Sequence, residues 1–204
     1  VGALAINSAV VLPAVDGLRA ALPVPLPAGG LALLRQVAPE DGDGLQAYFR
    51  GLSPRSRNDR LGGAGSELPA GELQRTLMQG ARGGAWLVEA MVEGHRAVIG
   101  EARSHFHPAS ASLEIALSVH DAWQRLGIGS ALLAEAQARA IALDAECLVA
   151  DVLRDNDRSR AFLQHHGFTI AAHGGDWRSL RLARRLSARV GDRHVYATES
   201  LALQ

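Results

Sequence analysis

The run Gln124-Arg125-Leu126-Gly127-Ile128-Gly129-Ser130 leads directly into an amphipathic segment. Its chemistry is anion binding. At a helix start the backbone N–H groups lack internal partners and the dipole is positive, while glycines let an anion approach the chain. Upstream, Glu114 is a carboxylate in an otherwise apolar alternating stretch, Leu113 to Val119. Such a group can take a proton from a substrate; equally, it can be a salt-bridged or solvent-facing strand residue. Downstream, Asn156 stands where it can cap a helix, a role that does not preclude contact with a ligand.

Other phosphate-binding patterns fail on named residues. A P-loop requires Gly-Lys-Ser/Thr, and the loop holds no lysine. A dinucleotide fingerprint needs a third small residue and an acidic partner further on, but Leu132 takes the third glycine's place and a polar link separates strand from glycine. His105, His107, His165 and His166 form pairs that no carboxylate at ligand spacing completes, so surface or loop histidines are expected and no metal. Cys147 reads as a small core residue, since no histidine is placed to activate it.

These residues need positioning elements, and hydrophobic periodicity supplies them. Leu113, Ile115, Leu117 and Val119 share one strand face, and Glu114, Ala116 and Ser118 the other. From Ile128, the residues Leu132, Leu133, Ala136, Ala140 and Leu143 recur at helical spacing. Upstream, Leu31 to Val37 reads as a strand, followed by a helix carrying Leu45, Tyr48 and Phe49. Ser53-Pro54 starts a short helix towards Arg60, and Ala70 to Gln79 forms another. Trp86 to Val92 and Arg96 to Ser104 flank Gly94 as a hairpin, which His105 to Pro108 closes. Leu148 to Leu153, Phe168 to Ala172 and Trp177 to Leu186 read as strands, with a helix over Arg158 to His165 ending at Gly167. The expectation is an α/β (mixed α+β) fold, a mixed sheet with helices on its faces.

At 204 residues, with 48% hydrophobic and 21% charged residues, the chain suits one globular domain. Zero formal charge and no basic run argue against nucleic acid, Arg178 to Arg185 reading as a solvated face. The single cysteine excludes an internal disulfide and fits a reducing compartment, so the cytoplasm is expected. Val1 to Pro27 is interrupted by Pro13, Asp16 and Arg19, which fits neither a signal peptide nor a membrane span. Residues 1–30 are expected to form an extension with a Pro/Gly-rich linker through Pro23, Pro25, Pro27, Gly29 and Gly30, residues 31–188 the domain, and residues 189–204 a tail.

Gln124, Gly127 and Gly129 fit Gln/Arg-x-x-Gly-x-Gly/Ala, and Asn156, Ser159, Phe162, Leu163, Gly167 and Phe168 fit Asn-x-x-Ala/Ser, a hydrophobic pair and Gly-Phe. Together these resemble the two signatures of the GNAT superfamily of N-acetyltransferases. Leu113 to Gln124, with its Asp-x-Trp-Gln ending, and Leu52 to Arg60 further resemble the Pat-type protein-lysine acetyltransferase branch, though Asn58 and Leu61 replace a usual Tyr and Phe. The resemblance covers roughly Leu31 to Leu186.

It implies a mixed, mostly antiparallel twisted sheet with helices on both faces. It implies acetyl-CoA as acyl donor, with pantetheine contacts on the backbone of Leu117, Ser118 and Val119. The pyrophosphate contacts fall on Arg125, Leu126, Gly127, Ile128, Gly129 and Ser130, with Gln124 and Asn156 completing the cofactor set and Glu114 as general base. Leu163 stands where many relatives carry a general-acid Tyr. The implied partners are acetyl-CoA and an amine acceptor, a protein lysine or a small molecule, with no nucleic acid and no membrane; a homodimer is compatible with the resemblance. A non-catalytic acyl-CoA-binding sensor is the competing expectation.

Overall fold

A computed structural model of the chain describes residues 21–27, 30–63, 65–78, 80–171 and 177–186. The expected tail over 189–204 and most of the extension over 1–30 lie outside them, as do Gln79 and Ala172, the expected ends of a helix and a strand.

Strands β2 (Leu31–Gln36) and β3 (Gly83–Val92) pair antiparallel. In β3, Ala85 and Leu87 face one side and Trp86 and Val88 the other, and all four are buried, so helices must cover both faces. Helices α1 (Gly42–Gly51) and α3 (Ala70–Leu77) bring Leu45, Leu73 and Leu77 to the first face. The other face receives Ile128 and Leu132 of α4 (Ile128–Ala142). Leu132 is fully buried, and its truncation to Ala would cost about 2–5 kcal/mol. Gly100 permits this approach: a Cβ there would stand 3.0 Å from Ile128 Cγ2.

The sheet continues through β4 (His95–His107), β5 (Ser112–Val119), β6 (Cys147–Leu153), β7 (Thr169–Ile170) and β8 (Ser179–Arg185). With an edge strand β1 (Leu22–Pro25), the order is β1-β2-β3-β4-β5-β6-β8-β7, and only β5 and β6 run parallel. Helices α2 (Pro54–Leu61) and α5 (Asp157–His165) complete the fold. Ser53 caps α2 by accepting from Ser56 N–H, and Pro54 occupies its first position.

Two local expectations are corrected. Pro23 and Pro25 lie in β1 rather than in a connector, because an edge strand tolerates a residue without N–H and Val24 turns inward to the core. His105 and His107 do not close a hairpin. They extend β4, which is held on both sides, His105 opposite Gly83 and Glu114, and His107 opposite Ser112. Among the described residues no helix is long and apolar enough to cross a membrane.

Candidate active site

β5 and β6 pair only over Ser112, Leu113 and Glu114 opposite Cys147, Leu148 and Val149. Beyond that point the strands diverge, while β5 keeps its antiparallel ladder to β4 up to Val119. One edge of β5 therefore presents backbone groups that another extended chain could pair with. A cavity of about 370 Å³ opens along this edge. Leu117, Ser118 and Val119 form its strand wall.

The glycine loop forms the cavity's outer end. Arg125 and Gly127 both adopt left-handed backbone, with φ of 63° and 85°, which turns the chain into the first turn of α4. Gln124, Arg125, Gly127, Gly129 and Ser130 line the cavity; Leu126 does not, and the Ile128 side chain goes into the core, leaving only its backbone N–H for a ligand. Phe162 of α5 packs so close that a Cβ on Gly129 would meet its ring at 3.4 Å. Ser130 Oγ shares a hydrogen bond with His166 Nε2 at 3.1 Å. Burial, then the charges of His165 and Arg184, hold His166 below its ordinary pKa and favour the neutral ring. Gln124 is fixed between the carbonyl of Val119, at 3.0 Å, and Arg158, at 2.5 Å. Asn156 caps α5 by accepting from Ser159 N–H at 3.0 Å and lines the cavity from the far side.

Helix α2 closes the remaining wall with Ser56, Asp59 and Arg60. Asp121 pins it there: its carboxylate accepts from Ser53 N–H, Ser53 Oγ and Ser56 Oγ at 2.9, 3.0 and 2.7 Å. Burial alone would raise the Asp121 carboxyl, but these hydrogen bonds outweigh it and hold the group below its ordinary value. Behind the wall, Arg60 pairs with buried Glu101, which accepts from Ser118 Oγ at 3.2 Å. Ser118 Oγ also meets Tyr48 Oη at 2.8 Å. Burial, then the Glu101 charge, push the Tyr48 phenol far above its usual range, so it stays a neutral hydrogen-bonding group.

Asp59 is different. Its Oδ2 is shut off from solvent without a hydrogen-bond partner, and the Arg158 guanidinium stands 3.9 Å away. Burial raises its carboxyl against the lowering pull of Arg55 and Arg158. No sequence signal marked Asp59 by itself, because α2 is polar from Arg55 to Arg60 and its cavity-facing side is set only by packing.

Glu114 does not line this cavity. It sits at the last paired position below the split, on the strand face it shares with Ala116 and Ser118. At about 3.3 Å per residue, it lies about 7 Å from Ala116 and about 13 Å from Ser118 along the strand. Ala116, between them, is exposed and small. The Glu114 side chain is 42% exposed, hydrogen-bonded to His107 Nε2 at 3.1 Å, with Arg181 at 4.0 Å. Sequence spacing hid the His107 contact, since only the β4–β5 register brings the two together. Leu163 is buried in the core beside α4, and Phe162 takes the cavity-facing place. Among the described residues, no group of three or more His, Cys, Asp or Glu side chains is arranged to hold a metal ion.

The family model described as "Acetyltransferase (GNAT) family" matches residues 56–168, over half of the chain and from α2 through the Gly-Phe that follows α5. The chain belongs to the GNAT acetyltransferase family. It is accordingly an acyl-CoA-dependent N-acyltransferase, of a family that uses acetyl-CoA as donor. The mostly antiparallel eight-stranded sheet is the GNAT fold. Among solved structures, this GNAT chain resembles the GNAT domain of S. lividans Pat at 23% identity and a TM-score of 0.72, over 81% of this chain and 97% of that one. It also resembles a cAMP-binding acyltransferase from Mycobacterium smegmatis, at 22% identity and a TM-score of 0.54, covering 83% of this chain and 48% of that one. Arabidopsis thaliana NAA60, solved with a bisubstrate analogue, gives 15% identity and a TM-score of 0.60, over 76% and 99% of the two chains. These likenesses concern the fold. No curated protein matches the sequence at a significant level.

Proposed function

We propose that this GNAT protein moves an acetyl group from acetyl-CoA to a primary amine, with a protein lysine preferred over a small amine, and that Glu114 is the general base. The observation that carries the cofactor placement is the unpaired edge of β5 running into the α4 N-terminus along one cavity. Backbone groups of Leu117, Ser118 and Val119 would pair with the amide-bearing arm, and the N–H groups from Arg125 to Ser130 would receive the pyrophosphate. Asn156 and Gln124 would border the arm from opposite sides.

The acceptor enters from the α2 face, over Ala116. Glu114 takes a proton from the ammonium, directly or through one water, since a carboxylate beyond direct reach can act by relay. The freed lone pair attacks the thioester carbonyl carbon, the carbon–sulfur bond breaks and CoA departs as thiolate without an acid at Leu163, and the second proton left on the amine nitrogen passes to water or to that thiolate, leaving a neutral amide. The hydrogen bond from His107 would hold the Glu114 carboxylate in place. Preference for lysine draws support from two stretches of the Pat-type resemblance that meet in space, Ser53 and Ser56 bonding Asp121.

The test is CoA release by the full chain with a panel of small amines and lysine-containing peptides, with acetyl-lysine detected by mass spectrometry. Turnover of lysine peptides with higher kcat/KM than the small amines is expected. Tight acetyl-CoA binding without turnover of any acceptor would overturn the reading.

A further inference from the structure

A second cavity, of about 310 Å³, lies between the C-terminal end of α3 and the strands β3 and β4. Among the described residues, Arg75, Arg82, Arg103 and His105 line it, and no carboxylate does. We propose that this cavity is the subsite for an anionic group, a carboxylate or phosphate, carried by the amine acceptor. The proposal rests on the reading of the Glu114 face as the acceptor side.

Its position fits that role. His105 is the cross-strand neighbour of Glu114, and Arg103 that of Ala116, so the cavity borders the place where the acceptor amine would lose its proton. Directly opposed residues on antiparallel strands stand about 5 Å apart at Cβ. An anion in the cavity and an ammonium at Glu114 are thus separated by a short aliphatic spacer.

Its positive charge exceeds the negative charge of the carboxylates around it. The Glu72 carboxylate serves Arg75, at 2.6 Å, as well as Arg103 and, at 3.4 Å, Arg60, whose other partner is Glu101. Three guanidiniums, those of Arg60, Arg75 and Arg103, thus share the two carboxylates of Glu72 and Glu101, and Arg82 pairs with no carboxylate among the described residues. Arg103 Nε is buried without a hydrogen bond. Guanidiniums grouped in this way bind carboxylate or phosphate through charge-assisted, paired hydrogen bonds.

Two sources could supply the anion: an acidic side chain flanking a lysine in a polypeptide, or the acid group of a small amino acid or phosphorylated amine. The experiment compares matched acceptors in two arms with the full chain. One arm pairs an alkylamine with an ω-amino carboxylate and an aminoalkylphosphonate of the same length. The other pairs lysine peptides flanked by Glu or by Gln. In at least one arm the anionic member should show a kcat/KM higher by about tenfold, and the arm that does so names the source. Arg82→Glu should reduce that ratio to about one; Arg82 takes part in no ion pair among the described residues. Equal kcat/KM within both arms of the wild type, or an unchanged ratio in Arg82→Glu, overturns the subsite and leaves acetyl transfer standing. Should no amine be turned over, the acceptor reading fails, and inorganic phosphate decides the cavity by itself. A phosphate-dependent rise in Tm that is smaller in Arg82→Glu than in wild type upholds an anion site, and an identical rise in both overturns it.

Discussion

Ser56 Oγ donates to Asp121 Oδ1 at 2.7 Å, tying the helix that walls the cavity to the link that precedes the glycine loop. The two residues are far apart in sequence, yet each is local to the wall it supports. The bond fixes α2 against the C-terminal end of β5, and with it the width of the cavity between α2 and α4.

Asp121→Asn should lower stability at neutral pH by about 1 kcal/mol, allowing for partial exposure to solvent. The Asp121 carboxyl is held below its ordinary value in the folded state. Its contribution is therefore present above the unfolded pKa of 3.8 and lost as pH falls through the lower folded value. Urea unfolding of wild type and Asp121→Asn across the acid range should show the difference closing as pH falls; a difference that persists unchanged in strong acid contradicts this account.

The opposite sign is expected at Asp59. Its folded pKa is raised above 3.8, so the native state binds more protons than the unfolded chain just above that value. Stability attributable to Asp59 thus falls as pH rises through the interval, and the full penalty applies above the folded pKa. Asp59→Asn should raise stability at neutral pH by about 1 kcal/mol, the order of cost of a buried carboxylate oxygen left without a hydrogen bond. Thermal unfolding at neutral and acid pH checks it, the gain being confined to the higher pH.

For Glu114→Gln we expect kcat to fall by roughly 10²- to 10⁴-fold, the usual weight of a positioned general base. Calorimetric titration should give an unchanged acetyl-CoA Kd, because Glu114 lies outside the cavity. Unaltered turnover would remove Glu114 from its role.

Gly127 adopts φ of 85°, and a Cβ there would meet nothing within 4 Å, so a bulky replacement acts through backbone strain rather than collision. Gly127→Val should cost about 1–2 kcal/mol locally and open the loop, raising the acetyl-CoA Kd by about tenfold. Undiminished affinity measured by calorimetry would count against the loop as the pyrophosphate site.

Much of the architecture was legible because its causes are local. The strand over Leu113 to Val119 follows from alternation, α4 from apolar residues at helical spacing, and α2 from the Ser53-Pro54 cap; each lies close to where those patterns place it. The glycine loop was legible for the same reason, since left-handed backbone at Gly127 and a helix start immediately after it are properties of a few adjacent residues. The continuation of β4 through His105 and His107 was not, because neither residue favours a strand by itself and the ladders to β3 and β5 decide it.

The sequence by itself determined the kind of elements and the glycine loop at the start of α4, because helix caps, turn glycines and periodicity act within a few residues. Only the tertiary structure decided what meets across the sheet. The parting of β5 from β6 after Glu114, the hydrogen bond between Glu114 and His107, the Asp59 oxygen left without a hydrogen bond and the gathering of Arg75, Arg82 and Arg103 all depend on strand register and helix packing between distant segments. Such contacts leave no local pattern, since each residue alone would serve as well on a solvated surface.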